Sequence, residues 1–411
     1  MIEFERFTTS NGLRVLIHED MSTPLVALNL LYDVGSKDEN PEVTGLAHLF
    51  EHLMFSGTNR IPDFDKPVQI AGGESNAFTN TDITNYYIIL PKENIETAFW
   101  LESDRMEEIN LSDRNIDIQK QVVTEEFKQR YQNQPYGDAL MILRKLAFEK
   151  HPYRWATIGA DISHVQKAEK KVIKDFYYSH YAPNNAILCL SGNITAKKAR
   201  NFVEKWFCGI EARQIKERNL PAEPIQTEKR EIFVNKEVPT SALYKAWHGV
   251  GRCHDDFNKL DMITDLLAGG TSGYLQNKLV REQKLFSAAN IYVTAEIEPG
   301  LIIFSGKMLP GVDPVKADKA VGDVISGIAS GNINDYDIEK VKNRYESATI
   351  LGHTNILNKA MDLCLYELIG DPRSINREVE RYRSINRSEI ISATSHYLND
   401  NNCSTLFYLK N

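Results

Sequence analysis

The sequence predicts an α+β protein of two related domains, each an antiparallel-rich sheet packed against helices. Three observations predict it. The chain of 411 residues is longer than one core supports, since cores stop growing and chains divide beyond about 250–300 residues. A run of β-type segments followed by helically spaced segments occurs twice. Between the two lies a charged, proline-containing stretch with no apolar period.

The first element is a hairpin: FERFTT and LRVLIHE flank a turn at Ser10-Asn11-Gly12, and Asn-Gly is the strongest short hairpin signal. LVALNLLYDVG supplies a further strand. From Gly45 the spacing turns helical, with Leu46, Leu49, Leu53 and Met54 on one apolar face. The stretch SNAFTNTDITNYYIILP, rich in Thr, Tyr and Ile, reads as a strand ending at Pro91. Helices follow at ENIETAFWLESDRM, at DRNIDIQKQVVTEEFKQRYQ, between Tyr136 and Phe148, and before Tyr181. A strand from Asn185 to Ser191 closes the first half.

RQIKERNLPAEPIQTEK, with Pro221 and Pro224, reads as a linker. The same grammar then returns. Strands are predicted at EIFVN and SALYKAWHG, helices at Asp255 to Leu267 and Leu275 to Glu282, and strands at ANIYVTAEI and LIIFSGKM. Residues 314–398 are mostly helical, and LFYLK forms a last strand. These segments divide the chain into a first domain 1–211, a linker 212–229 and a second domain 230–411, each near the usual domain size.

Bulk properties narrow the function. Hydrophobic residues at 42% and charged residues at 25% describe an ordinary folded, water-soluble chain, and no stretch is long and apolar enough to span a bilayer. A net charge of −8 argues against a nucleic-acid partner, which needs a basic face. The amino terminus lacks a basic-then-apolar signal, so the expected compartment is cytoplasmic, or periplasmic if a signal peptide has been removed. The five cysteines are scattered, with no CxxC pair, and read as reduced structural residues.

The chemistry concentrates at His48-Leu49-Phe50-Glu51-His52. On a helix, two histidines four apart lie one turn apart on one face, where both can reach a single ion. Catalytic zinc typically takes three protein ligands plus water, and Glu51 is placed to act as general base on that water. The plainer alternative, an accidental cluster on a helix face, is decided by a third ligand. QKQVVTEEFKQR offers Glu125 and Glu126 on a helix whose Val122, Val123 and Phe127 supply an apolar side.

With these residues in place, the chain resembles the pitrilysin (insulinase) family of zinc peptidases, which includes mitochondrial processing peptidase. GLAHLFEHLMFSGT carries the family's His48, Glu51 and His52, and VVTEE matches its third-ligand helix at Glu126. The family's G-G-x-x-N-A-x-T strand appears at Gly72 to Thr79, and further segments match at Asn133 to Gly137, His151 to Tyr153 and Tyr181 to Asn184. The resemblance implies duplicated α+β halves forming one half of a clamshell around a peptide substrate, as a homodimer or a heterodimer with a related chain. It also implies a Zn2+ cofactor and a substrate-binding edge strand at Asn76, Ala77, Phe78 and Thr79.

Two positions depart from the family pattern. Gln119 stands where a second glutamate is common, seven residues before Glu126, and it can hydrogen-bond but not carry charge. In the second half, GGTSGYLQNKLVREQKLFS puts Val280 and Ser287 where active homodimeric relatives carry an Arg and a Tyr, with Arg281 one residue out of register. The expectation is a zinc endopeptidase acting on peptides or unfolded polypeptides with a second chain supplying the Arg and Tyr. The alternative is a non-catalytic structural or chaperone-like subunit. The isolated histidines, such as His18 and His396, are read as packed or solvated.

Overall fold

The computed structural model describes residues 1–411. It divides into two compact units, the first of residues 1–127, 156–220 and 350–377, the second of residues 128–155, 221–349 and 378–411. These differ from the sequence halves 1–211 and 230–411 by a reciprocal exchange of one helix-bearing segment each.

The first unit is built on six strands: β1 (Glu5–Thr8), β2 (Arg14–Glu19), β3 (Leu25–Tyr32), β4 (Glu74–Thr79), β5 (Thr84–Pro91) and β6 (Ala186–Gly192). Their order is β1-β2-β6-β3-β5-β4, antiparallel except where β2 runs parallel to β6. The central strands β3 and β6 are almost wholly buried, because helices cover both faces and leave no solvated side. On one face the helix Ile356–Leu368 packs across β3 and β6. There Ala360, Leu363 and Cys364 meet Leu16, Leu31, Ile187 and Cys189. Helices Glu96–Glu107 and Ala196–Trp206 pack on β3 and β2.

The stretch expected as one strand before Pro91 is two. Asn80 Oδ1 accepts from the amides of Asp82 and Ile83 at 2.7 and 2.8 Å, an Asx-type turn that reverses the chain. β4 therefore becomes the outermost strand of the sheet, paired with β5 alone.

In the second unit β7 (Arg230–Lys236), β8 (Ala242–His248), β9 (Phe286–Val293), β10 (Leu301–Met308) and β11 (Cys403–Lys410) take the order β7-β11-β8-β10-β9, again with one parallel pair, β7 with β11. Strand for strand this repeats β2-β6-β3-β5-β4. The helix Ala139–Ala147 covers one face through Leu143 and Ala147 against Ala242, Ala246 and Leu406. Leu260, Ile263, Val321 and Ile390, from helices Phe257–Ala268, Pro314–Ala329 and Arg387–Tyr397, pack in the core of the other.

The expected linker is pinned rather than free. Arg213 donates to the carbonyls of Tyr181 and Glu107, and Arg218 pairs with Asp33 and Asp38. Glu223 accepts from the amides of Glu149, Lys150 and His151. No helix is long and apolar enough to cross a membrane.

Candidate metal centre

The motif occupies a two-turn helix, Leu46–Leu53, whose residues Leu46, Leu49, Phe50 and Leu53 are buried. Phe50 stacks on Phe176 and Tyr177, with centroids 5.6 and 6.0 Å away, and its carbonyl accepts from the Tyr86 hydroxyl at 3.3 Å. Anchoring that apolar face fixes the helix's rotation, so His48 and His52 share the other side. Their ring centroids are 4.9 Å apart.

Glu126 arrives from the helix Asp113–Phe127, which buries Ile116, Val123 and Phe127. Val122, expected on the apolar side, is exposed, since it lies about 100° round the helix from Val123. The same rotation separates the two candidate glutamates. Glu125 is exposed, whereas a Glu126 oxygen lies 3.6 Å from His48 Nε2 and 3.3 Å from His52 Nε2. One ligand atom from each of the three residues falls within 4.8 Å of the others. Ligands about 2.1 Å from a tetrahedral zinc lie about 3.4 Å from one another, so both measured separations suit two corners of such a site. The donor set of two imidazoles and one carboxylate suits zinc as well.

Gln119 lies two turns before Glu126 and donates from Nε2 to Ser56 Oγ at 3.0 Å, and Ser56 in turn donates to the His52 carbonyl at 3.4 Å. It ties the two ligand-bearing helices together. Glu51 stands beside the cluster, half-buried; burial holds the Tyr86 and Tyr181 hydroxyls above the ordinary range, with the neighbouring Glu51 carboxylate a lesser cause. Along β4, Asn76 and Phe78 are exposed and Ala77 and Thr79 half-buried, with one side of the strand unpaired.

Glu39 escaped the sequence reading. Both of its carboxylate oxygens accept backbone amides at the start of the motif helix, from Gly45 and Ala47, each at 2.8 Å. Burial pushes its carboxyl up to about 8, against the pull of those donors. The available signal was the absence of a capping side chain at Gly45. In the second unit, Val280 packs against the core, Arg281 donates to Asn277 at 3.2 Å, and Ser287 donates to the Lys307 carbonyl.

Comparison with known proteins agrees with this architecture. The family model described as insulinase, peptidase family M16, matches residues 14–161, and that of the peptidase M16 inactive domain matches residues 167–345. The chain belongs to the M16 insulinase family. Within M16, the zinc protease PqqE of Helicobacter pylori is 27% identical, over 98% of this chain and 92% of its own. The crystal structure of a protease from Helicobacter pylori superposes with a TM-score of 0.94 at 27% identity, covering 99% of this chain and 100% of that one. The periplasmic protease PqqL of Escherichia coli shares the fold, with a TM-score of 0.81 at 17% identity, over 100% of this chain and 48% of that longer one.

Proposed function

We propose that this M16 chain is a zinc-dependent endopeptidase acting on peptides or unfolded polypeptides, with His48, His52 and Glu126 as ligands in a catalytic first domain and a second, related domain that lacks the metal motif. The carrying observation is the spacing of the three donor atoms. Zinc held there supplies a Lewis acid that lowers the pKa of water and polarises a carbonyl. Glu51 takes the proton from the attacking water and returns it to the departing amine. The open edge of β4 offers backbone groups to an extended substrate, with Asn76 to Thr79 setting its direction and register. Gln119 holds the Glu126 helix to the end of the motif helix without adding charge to the site.

Val280 and Ser287 cannot hold an oxyanion as an Arg and a Tyr would. We therefore assign those groups to a related partner chain, an arrangement in keeping with PqqL, whose chain is long enough to contain two such units. The same loss favours a second reading, a non-catalytic subunit of a peptidase-related complex.

Zinc analysis and peptide hydrolysis by purified protein test both readings. Glu51→Gln is expected to keep one zinc per chain while losing about 10²–10⁴-fold in turnover. Full activity in that variant refutes Glu51 as the base, and wild-type protein without bound metal favours the non-catalytic subunit. Activity of the chain alone that equals its activity with a related partner removes the heterodimer.

A further inference from the structure

A two-turn helix is a weak support for two metal ligands, because it has few internal hydrogen bonds and its first amides lack partners within the helix. The usual remedy is a side chain at the residue before the first turn. Here that residue is Gly45, at φ +91°, where an added Cβ would sit 2.6 Å from the Ile158 carbonyl oxygen. No side chain fits. The neighbouring hydroxyl, on Thr44, is engaged elsewhere, 2.9 Å from His164 Nδ1 and accepting from the Ala160 amide at 2.8 Å.

Glu39 fills the gap from outside the helix. Its two oxygens hold the amides of Gly45 and of Ala47, the residue immediately before His48. Its own backbone is fixed in turn. Ser36 and Lys37 donate from their amides to the carbonyls of Asn80 and Thr81 at 3.2 and 3.0 Å. The Lys37 ammonium pairs with Asp82 at 2.7 Å, with both side chains buried. Residues 36–39 thus join the start of the motif helix to the turn that sets β4.

We propose that Glu39 is a positioning residue for the metal site: it fixes the first turn of the Leu46 helix relative to the β4–β5 hairpin, and so the placement of His48 and His52 against Glu126. The inference rests on the zinc reading above. Outer groups that orient metal ligands typically change metal affinity by about 10- to 100-fold when lost. Glu39→Gln is the informative variant, because either protonation state of a carboxyl accepts at both oxygens, whereas an amide nitrogen cannot accept. One of the two helix amides then faces a donor.

The test is competition for zinc between the purified full-length protein and a chromophoric chelator, with kcat and KM measured on an unstructured peptide at saturating zinc. Glu39→Gln is expected to weaken zinc binding at least tenfold and to lower kcat with KM within twofold. A variant that matches wild type within twofold in zinc affinity and kcat overturns the proposal, even if its melting temperature falls, because Glu39 would then only stabilise the fold. Should Glu39→Gln fail to fold, Glu39→Asp, one methylene too short to span both amides, is read by the same criteria; failure of both to fold also overturns it. If wild-type protein binds no zinc, the zinc reading falls and the inference falls with it. If wild type binds zinc and the variant binds it equally, only the inference falls.

Discussion

At the scale of single residues, Glu39 holds two backbone amides at the start of the motif helix, and its burial carries a pH signature. A carboxyl raised from its ordinary 4.5 to about 8 binds its proton more tightly in the folded than in the unfolded chain. Its contribution to stability is therefore complete below about pH 4.5 and is lost as pH rises through 8. Between those limits the stability of zinc-free wild type is expected to fall relative to Glu39→Gln, by on the order of 4 kcal/mol. Urea denaturation of both proteins across that range checks it, and a constant difference would contradict the burial of the charge. The spacing of His48, Glu51 and His52 was legible because helical periodicity converts sequence distance into a shared face. Glu125 and Glu126 stayed open on the residues themselves until the burial of Val123 and Phe127 set the helix's rotation. Glu39 was not legible, because the groups it binds are peptide amides, which no residue letter distinguishes.

At the scale of elements, the β4–β5 hairpin connects the sheet to the site. Ser75 to Pro91 is rich in Thr, Tyr and Ile, so it reads as one long strand. Only Asn80-Thr81-Asp82 interrupts it, and the turn depends on the Asn80 side chain accepting two amides. The neighbouring Lys37–Asp82 pair has side chains 1% and 5% exposed. Removing one member leaves the other's charge buried, which costs about 3–5 kcal/mol. Asp82→Ala is thus expected to lower the stability of the first unit by that amount, measured from the urea midpoint. A loss under about 1 kcal/mol would mean that the Lys37 ammonium finds water once the carboxylate is gone. The topology of each sheet was less legible than its strands. Period and propensity mark β2 and β6, but nothing local announces that strands so far apart in sequence run side by side in parallel.

At the scale of the whole molecule, the exchanged helices decide what counts as a folding unit. The sequence reading divides the chain at residues 212–229, where composition changes, yet the helix Ile356–Leu368 buries Ala360, Leu363 and Cys364 completely against the first sheet. Helical periodicity announces that this helix has an apolar face but not which sheet receives it. A fragment of residues 1–211 lacks that cover and leaves Leu16, Leu31, Ile187 and Cys189 facing water. It is expected to bind a hydrophobic dye and to elute as aggregate on gel filtration, whereas the full chain does neither; a monomeric fragment with a cooperative melt would refute the assignment. The exchange also sets a timetable during synthesis. The ribosome delivers β1 to β6 well before the helix that roofs them, so most of the second unit must emerge before the earlier-made sheet can be closed.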